Sequence, residues 1–218
     1  MFDAQKFKFI REYPQFHDVL NVNSFEEYEK KLNDVKKTCD AQTYRYVSGL
    51  SFEFIIGAII HLFGAMPQIG IIDYEPTYIG DPENPDYGAD GYGLAYAGAE
   101  RQSTRRALVQ VKYRANKWAS VANWGQLPGQ LRDELARHDT VNLTVFTATN
   151  EFGNRGHAPI FEHMVAEKVQ EDSAKSVRNL YKMFSEDEYS RIFVRVIDFS
   201  QLKQLDSFML WRMIRSLM

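Results

Sequence analysis

The stretch GLSFEFIIGAIIHLFG, residues 49–64, constrains the fold more than any other part of the chain. At helical spacing its apolar residues nearly encircle the axis, and Gly64 supplies a stop, so the helix it predicts must be covered on all sides. Its apolar run FIIGAIIHLFGAM, residues 54–66, is too short to span a bilayer and reads as a buried helix of a soluble, cytoplasmic protein with no membrane partner. One carboxylate, Glu53, opens this apolar element, and an unpaired charge there would be costly to bury.

What covers the helix is predicted downstream. Strand-like runs fall at 70–74, 90–98, 105–114, 140–150 and 191–199, the second and third forming an antiparallel hairpin. Helical patterns fall at 121–139, with Pro128 as a break or first-turn residue, at 158–172, at 177–184, and from a Ser200 cap to the end. The order predicts an α/β fold with a mixed central sheet flanked by helices. Upstream, SFEEYEKKLNDVKK pairs Ser24 with Glu27 in a capping-box pattern. Residues 1–44 are read as an N-terminal helical extension and 45–218 as the main domain. The mixed charge of the extension suits a solvated face, with a dimerisation or DNA-gripping arm as the alternative.

Several chemistries are poorly supported. Cys39 is the sole cysteine, which excludes an internal disulfide and suits a reducing compartment. His17, His61, His138, His157 and His163 lack metal-ligand spacing, there is no phosphate-binding glycine loop, and Ser48 and Ser51 have no evident base. The closing FMLWRMIRSLM reads as core or subunit contact, leaving a homodimer open.

The informative stretch is ALVQVKYRANK, residues 107–117. Strand alternation sends Val109, Val111 and Tyr113 to one face and Gln110 and Lys112 to the other. In the preceding arm Asp90 lies between Gly88 and Gly91, which allow a tight turn and room for a ligand to approach. If the arms pair, Asp90, Gln110 and Lys112 converge. A carboxylate, an amide oxygen and the Val111 carbonyl are hard donors suited to Mg²⁺, and a nearby lysine can stabilise charge on a phosphate. Glu53 would face a water or the lysine at the sheet edge. The bland readings are an ordinary turn aspartate, a buried ion pair for Glu53 and a snorkelling edge lysine. Asp73, Glu75 and Asp86 are spare acids near the same sheet.

Together, GLSFEFIIGAIIHLFG, GADGYGLAY, ALVQVKYR and LTVFTATNEF resemble the core of the PD-(D/E)xK nuclease superfamily, and most its Mrr-type restriction endonuclease branch, over residues 48–155. The resemblance implies a restriction-endonuclease-like core with Asp90 as metal-binding aspartate, Gln110 at the Asp/Glu position, Lys112 as catalytic lysine and Glu53 as the first-helix acid. Gln110 removes one negative charge relative to the superfamily pattern, and Gly93 stands where many relatives carry a second aspartate. The implied activity is an Mg²⁺-dependent DNA endonuclease, Mn²⁺ substituting, that hydrolyses phosphodiester bonds with a metal-activated water. Alternatives are a catalytically degenerate DNA-binding or interaction protein on the same scaffold, and a nuclease acting on RNA or branched DNA.

Charge adds an argument. The chain's formal charge is -3, yet residues 101–117 hold Arg101, Arg105, Arg106, Lys112, Arg114 and Lys117 with no acid among them. Such a strip favours a polyanion. Arg105, Arg106, Arg114, Lys117 and Gln126 are accordingly the expected DNA contacts, with Gln130 and the neighbouring tryptophans as further candidates or core.

Overall fold

The computed structural model describes residues 14–77, 88–97, 103–113, 126–148, 182–197 and 199–218. Helices α1 (Pro14–Leu20), α2 (Phe25–Thr38) and α3 (Ala41–Phe63) come first. Strands β1 (Ile71–Pro76), β2 (Gly91–Ala97) and β3 (Ser103–Lys112) follow, then helix α4 (Leu127–Leu135) and strand β4 (Val141–Thr147). Helix α5 (Glu186–Ser190), strand β5 (Ile192–Ile197) and helices α6 (Phe199–Lys203) and α7 (Phe208–Leu217) complete the described elements. The expected helix at 158–172, and most of that at 177–184, lie outside the described residues, whereas 182–183 form a turn.

The strands form one mixed sheet in the order β1-β2-β3-β4-β5. β1–β2 and β2–β3 pair antiparallel, and β3–β4 and β4–β5 pair parallel. All seven residues of β4 are buried, as expected of a parallel strand covered on both faces. On one face α3 packs with α1, α2 and α7 over Val109, Val111, Phe146 and Ile197. On the other, Leu127, Leu131 and Leu135 of α4 meet Leu108, Leu143, Val145 and Val194. The fold is thus a helix–sheet–helix sandwich, an α/β arrangement of the expected kind.

The buried helix is longer than the sequence suggested. It begins at Asp40, whose carboxylate accepts from the Gln42 and Thr43 amides at 2.8 and 2.9 Å. At 23 residues and a window mean hydropathy of 1.6, α3 is long and apolar enough to cross a membrane, but 61% of that window is buried inside the protein. A division of the chain between 44 and 45 would run through this helix. Phe16, Leu20, Phe25, Tyr28 and Leu32 from the helices before it are buried in the same core as Phe52 and Ile55.

Other local signals are realised. Ser24 caps α2 by accepting from the Glu27 amide at 3.1 Å, while Glu27 reaches back to the Asn23 amide at 2.8 Å. Pro128 sits in the first turn of α4, which starts at Leu127 and stops at Leu135, well inside the 121–139 pattern; residues 121–125 lie outside the described residues. The closing helix is a correction: it is two helices, the second capped by Ser207 rather than Ser200. Asp206 sits at the break because its carboxylate accepts from the Phe25 amide at 3.1 Å and the Trp211 indole at 2.5 Å. At the far side of the sheet Arg195 of β5 donates to the Ile69 carbonyl at 2.7 Å and the Pro67 carbonyl at 3.1 Å, gripping the loop that enters β1.

Candidate functional site

The β2–β3 register places Gly91 opposite Val109, and the Asp90 amide donates to the Val109 carbonyl at 2.8 Å. The ladder therefore ends at Asp90, directly beside Gln110. Where β2 stops, the Asp90 carboxylate takes over: its Oδ2 accepts from the Val111 amide and from the Gln110 side-chain Nε2. Both residues are buried, Asp90 3% and Gln110 0% exposed. In this pairing pattern the Val111 carbonyl points to the same side as its amide, so it too lies beyond the end of β2.

The turn carrying Asp90 is clamped from both layers. Gln130 of α4 accepts from the Ala89 amide at 2.8 Å, and Thr77 donates its hydroxyl to the Ala89 carbonyl at 2.9 Å and its amide to the Asp90 carbonyl at 3.0 Å. Gly88 has φ +110°, and a side chain there would meet the Leu127 backbone nitrogen at 2.4 Å. Gly91 corrects an expectation. The room it leaves is taken by the Tyr74 ring, 2.3 Å from where a Cβ would stand, and not by a ligand.

Glu53 is half-buried on α3. Burial first, then the carboxylates of Asp90 and Glu53, push the Tyr74 phenol well above its usual range, so it stays protonated. Both acids are thus felt at one buried hydroxyl, which lies 3.4 Å from the Asp90 carbonyl. Tyr74 itself carried no signal in the sequence beyond its place in an alternating strand.

Lys112 ends β3 half-exposed. The strand's alternation is as expected: Val109 and Val111 join the core under α3, Leu108 joins the core under α4, and Gln110 and Lys112 share the Leu108 side.

The basic strip is not one surface. Arg105 and Arg106 are adjacent and point to opposite faces, roughly 20 Å along the strand from Lys112. The Arg105 guanidinium stacks 3.8 Å from the centre of the Phe193 ring. Arg106 Nε is 3.0 Å from Glu134 Oε2, and its guanidinium lies over the Tyr92 ring. These two arginines pack against the sheet on opposite faces. Gln126 is exposed just before α4, whereas Arg114, Lys117 and Asp86 lie outside the described residues. Asp73 is exposed at φ +50° beside the irregularity in the β1–β2 register, and Glu75 is exposed and opposite Tyr92.

Whether these groups suit a cation turns on one atom. Among the described residues, Gln110 Oε1 is buried with no hydrogen-bond partner, an arrangement that costs about 1–3 kcal/mol unless something meets it. That orphan oxygen beside a carboxylate fits a hard cation. Among the described residues no group of three His, Cys, Asp or Glu side chains is placed to hold a metal, so the donor set would depend on the amide.

This predicts an unusual response for Gln110→Glu. Without metal, a second carboxylate pressed on Asp90 destabilises the fold by about 2–4 kcal/mol at neutral pH, because two adjacent acids cannot both ionise cheaply. The folded pair titrates above ordinary carboxylates, so stability is retained at about pH 4 and lost as the pH rises. Saturating Mg²⁺ restores it. Melting temperatures with and without Mg²⁺ across pH check this, and no metal-dependent recovery would argue against a cation at this position.

No family model, curated protein or solved structure matches this chain.

Proposed function

We propose that the chain is an Mg²⁺-dependent DNA endonuclease with a PD-(D/E)xK-like core, acting in a reducing, cytoplasmic setting. The observation that carries the reading is the orphan Gln110 oxygen buried against Asp90, on the strand that two residues later ends in Lys112. The sheet order, with an antiparallel hairpin leading into parallel strands, agrees with the resemblance of the motifs.

In this reading Asp90, Gln110, the Val111 carbonyl and Glu53 would hold the cation. When bound, it supplies a Lewis acid for a phosphate oxygen and lowers the pKa of water. The chain's own residues do the rest. Clamping by Thr77 and Gln130 fixes the Asp90 carboxylate in advance, so little reorganisation is left for the reaction. Glu53 accepts a hydrogen bond from the attacking water and orients it in line with the leaving oxygen. Lys112 offers a positive charge to the phosphate oxygens as negative charge grows on them. Tyr74, held neutral, keeps a third negative charge out of the site.

The test is incubation of the purified protein with supercoiled and linear duplex DNA in Mg²⁺ or Mn²⁺. Cleavage that stops on chelation is expected, and none under any of these conditions would end the proposal. A second reading, a degenerate scaffold that binds DNA without cutting it, draws on the fact that Asp90 Oδ2 already serves two β3 donors. Calorimetry separates the two: salt-sensitive DNA binding without divalent-metal binding favours the second.

A further inference from the structure

Gly49 breaks a local rule. It lies well inside α3, where glycine is the poorest helix former after proline. Packing does not require it: among the described residues a Cβ at Gly49 would meet nothing within 4 Å, although the residue is half-buried. Gly64, just past the same helix, is the opposite case, since a Cβ there would press on the Ile71 and Ile60 carbonyls. A helix that gives up stability for open space on a partly covered face has a reason outside its own packing, and the usual one is a ligand that must come close to the backbone.

Helix geometry locates that space. Gly49 and Glu53 stand one turn apart on one face of α3, and the same side of the helix continues to Gly64, which meets Ile71 at the start of β1. From Gly64 back to Glu53 the helix rises about 16 Å, and β1 spans about the same length from Ile71 to Pro76, so Glu53 is level with the far end of β1. Pro76 there pairs with Gly91, the neighbour of Asp90. The Phe52 ring agrees with this placement, packing 5.6 Å from that of Tyr113 just past the end of β3. Gly49 therefore stands about 6 Å further out, at the rim beyond the strand ends.

We propose that the missing side chain at Gly49 gives the sugar–phosphate backbone of a DNA strand room to lie against α3 as it passes beside Glu53 and Asp90. The inference rests on the nuclease reading for its substrate.

The test compares wild type with Gly49→Ala and Gly49→Leu. Gly129→Ala is the control, because Gly129 is also a helix glycine whose Cβ would meet no described residue within 4 Å, but it is exposed on α4, across the sheet from α3. Both alanine variants should melt about 1–4 °C above wild type, since alanine is the better helix former and neither methyl group meets a neighbour. Single-turnover cleavage of a labelled duplex in Mg²⁺ should match wild type in Gly129→Ala and fall in Gly49→Ala. In Gly49→Leu, where the side chain displaces the strand by an ångström or more, it should fall by about 10²-fold. Mg²⁺ affinity by calorimetry stays at the wild-type value in all three, which a distorted site would not give. A Gly49→Ala protein that melts below wild type shows that the glycine serves packing and overturns the inference. Undiminished cleavage by both Gly49 variants also overturns it and leaves the nuclease reading standing; if Gly49→Leu does not fold, Gly49→Ala decides alone. A wild type that binds the duplex in fluorescence anisotropy without cleaving it, with binding weakened in the Gly49 variants, keeps the strand path while the nuclease reading falls. A wild type that neither binds nor cleaves removes both.

Discussion

On the proposed nuclease reading, replacing Lys112 by alanine yields a folded protein whose DNA cleavage is lower by at least about 10²- to 10³-fold. Lys112 is half-exposed at the last position of β3, and its backbone bond, the carbonyl accepting from the Ala148 amide at 3.3 Å, survives any side-chain change. Stability should therefore move little. On the proposed nuclease reading the side chain matters only where charge grows, on the phosphate in the transition state, so the loss appears in the single-turnover rate. Divalent-metal binding, which on that reading draws on Asp90 and Gln110, stays close to wild type. Lys112→Arg should recover part of the rate, since the charge returns but as a broad planar fork in place of a compact ammonium. Single-turnover cleavage in Mg²⁺, with metal titration of the same samples, checks both outcomes. Undiminished cleavage by the alanine variant would remove Lys112 from the mechanism.

Gly64→Ala should produce the largest loss of stability, about 3 kcal/mol or more, seen as a melting temperature lower by roughly 6–12 °C for a chain of this size. A Cβ at Gly64 would stand 2.1 Å from the Ile71 carbonyl oxygen and 2.4 Å from that of Ile60, both backbone atoms that no rotamer change can move. Gly64 also accepts from the Ile71 amide at 2.9 Å, so helix end and strand start are in direct contact. Relief of the clash would shift β1 away from α3, and with it Tyr74, whose ring fills the space over Gly91. Activity should accordingly fall with stability. Gly129→Ala is the matched control: a Cβ there meets nothing within 4 Å, and α4 should gain about 0.5–1 kcal/mol. Thermal unfolding of both variants gives the comparison, and equal behaviour would refute the steric account.

What was legible in the sequence was local. The strands emerged within a few residues of their observed ends, because alternation and β-branched content are properties of consecutive residues. Alternation put Gln110 and Lys112 on one face, but it left their convergence with Asp90 conditional on the two arms pairing; the register itself comes from the β2–β3 ladder. Elements fixed by distant partners were not legible. The opening AQTYRYV of α3 is too polar to continue the apolar pattern, and its helicity depends on the Asp40 cap and on α2 packed alongside. The break before α7 depends on Phe25 and Trp211 both reaching Asp206. Arg105 and Arg106 looked like one basic strip because the sequence does not reveal Phe193 and Glu134, their partners on opposite faces. Gln130 stood among possible DNA contacts; its hold on the Ala89 amide is visible only once α4 is laid against the sheet.

Arg195 has a consequence of a different kind. Its guanidinium ties carbonyls of the loop before β1 to β5, partners 126 and 128 positions apart in the chain. The first and last strands of the sheet are therefore not free to fray independently. Amides at the start of β1 and along β5 should share one opening free energy in native-state hydrogen exchange, so the sheet's outer edges belong to a single cooperative unit.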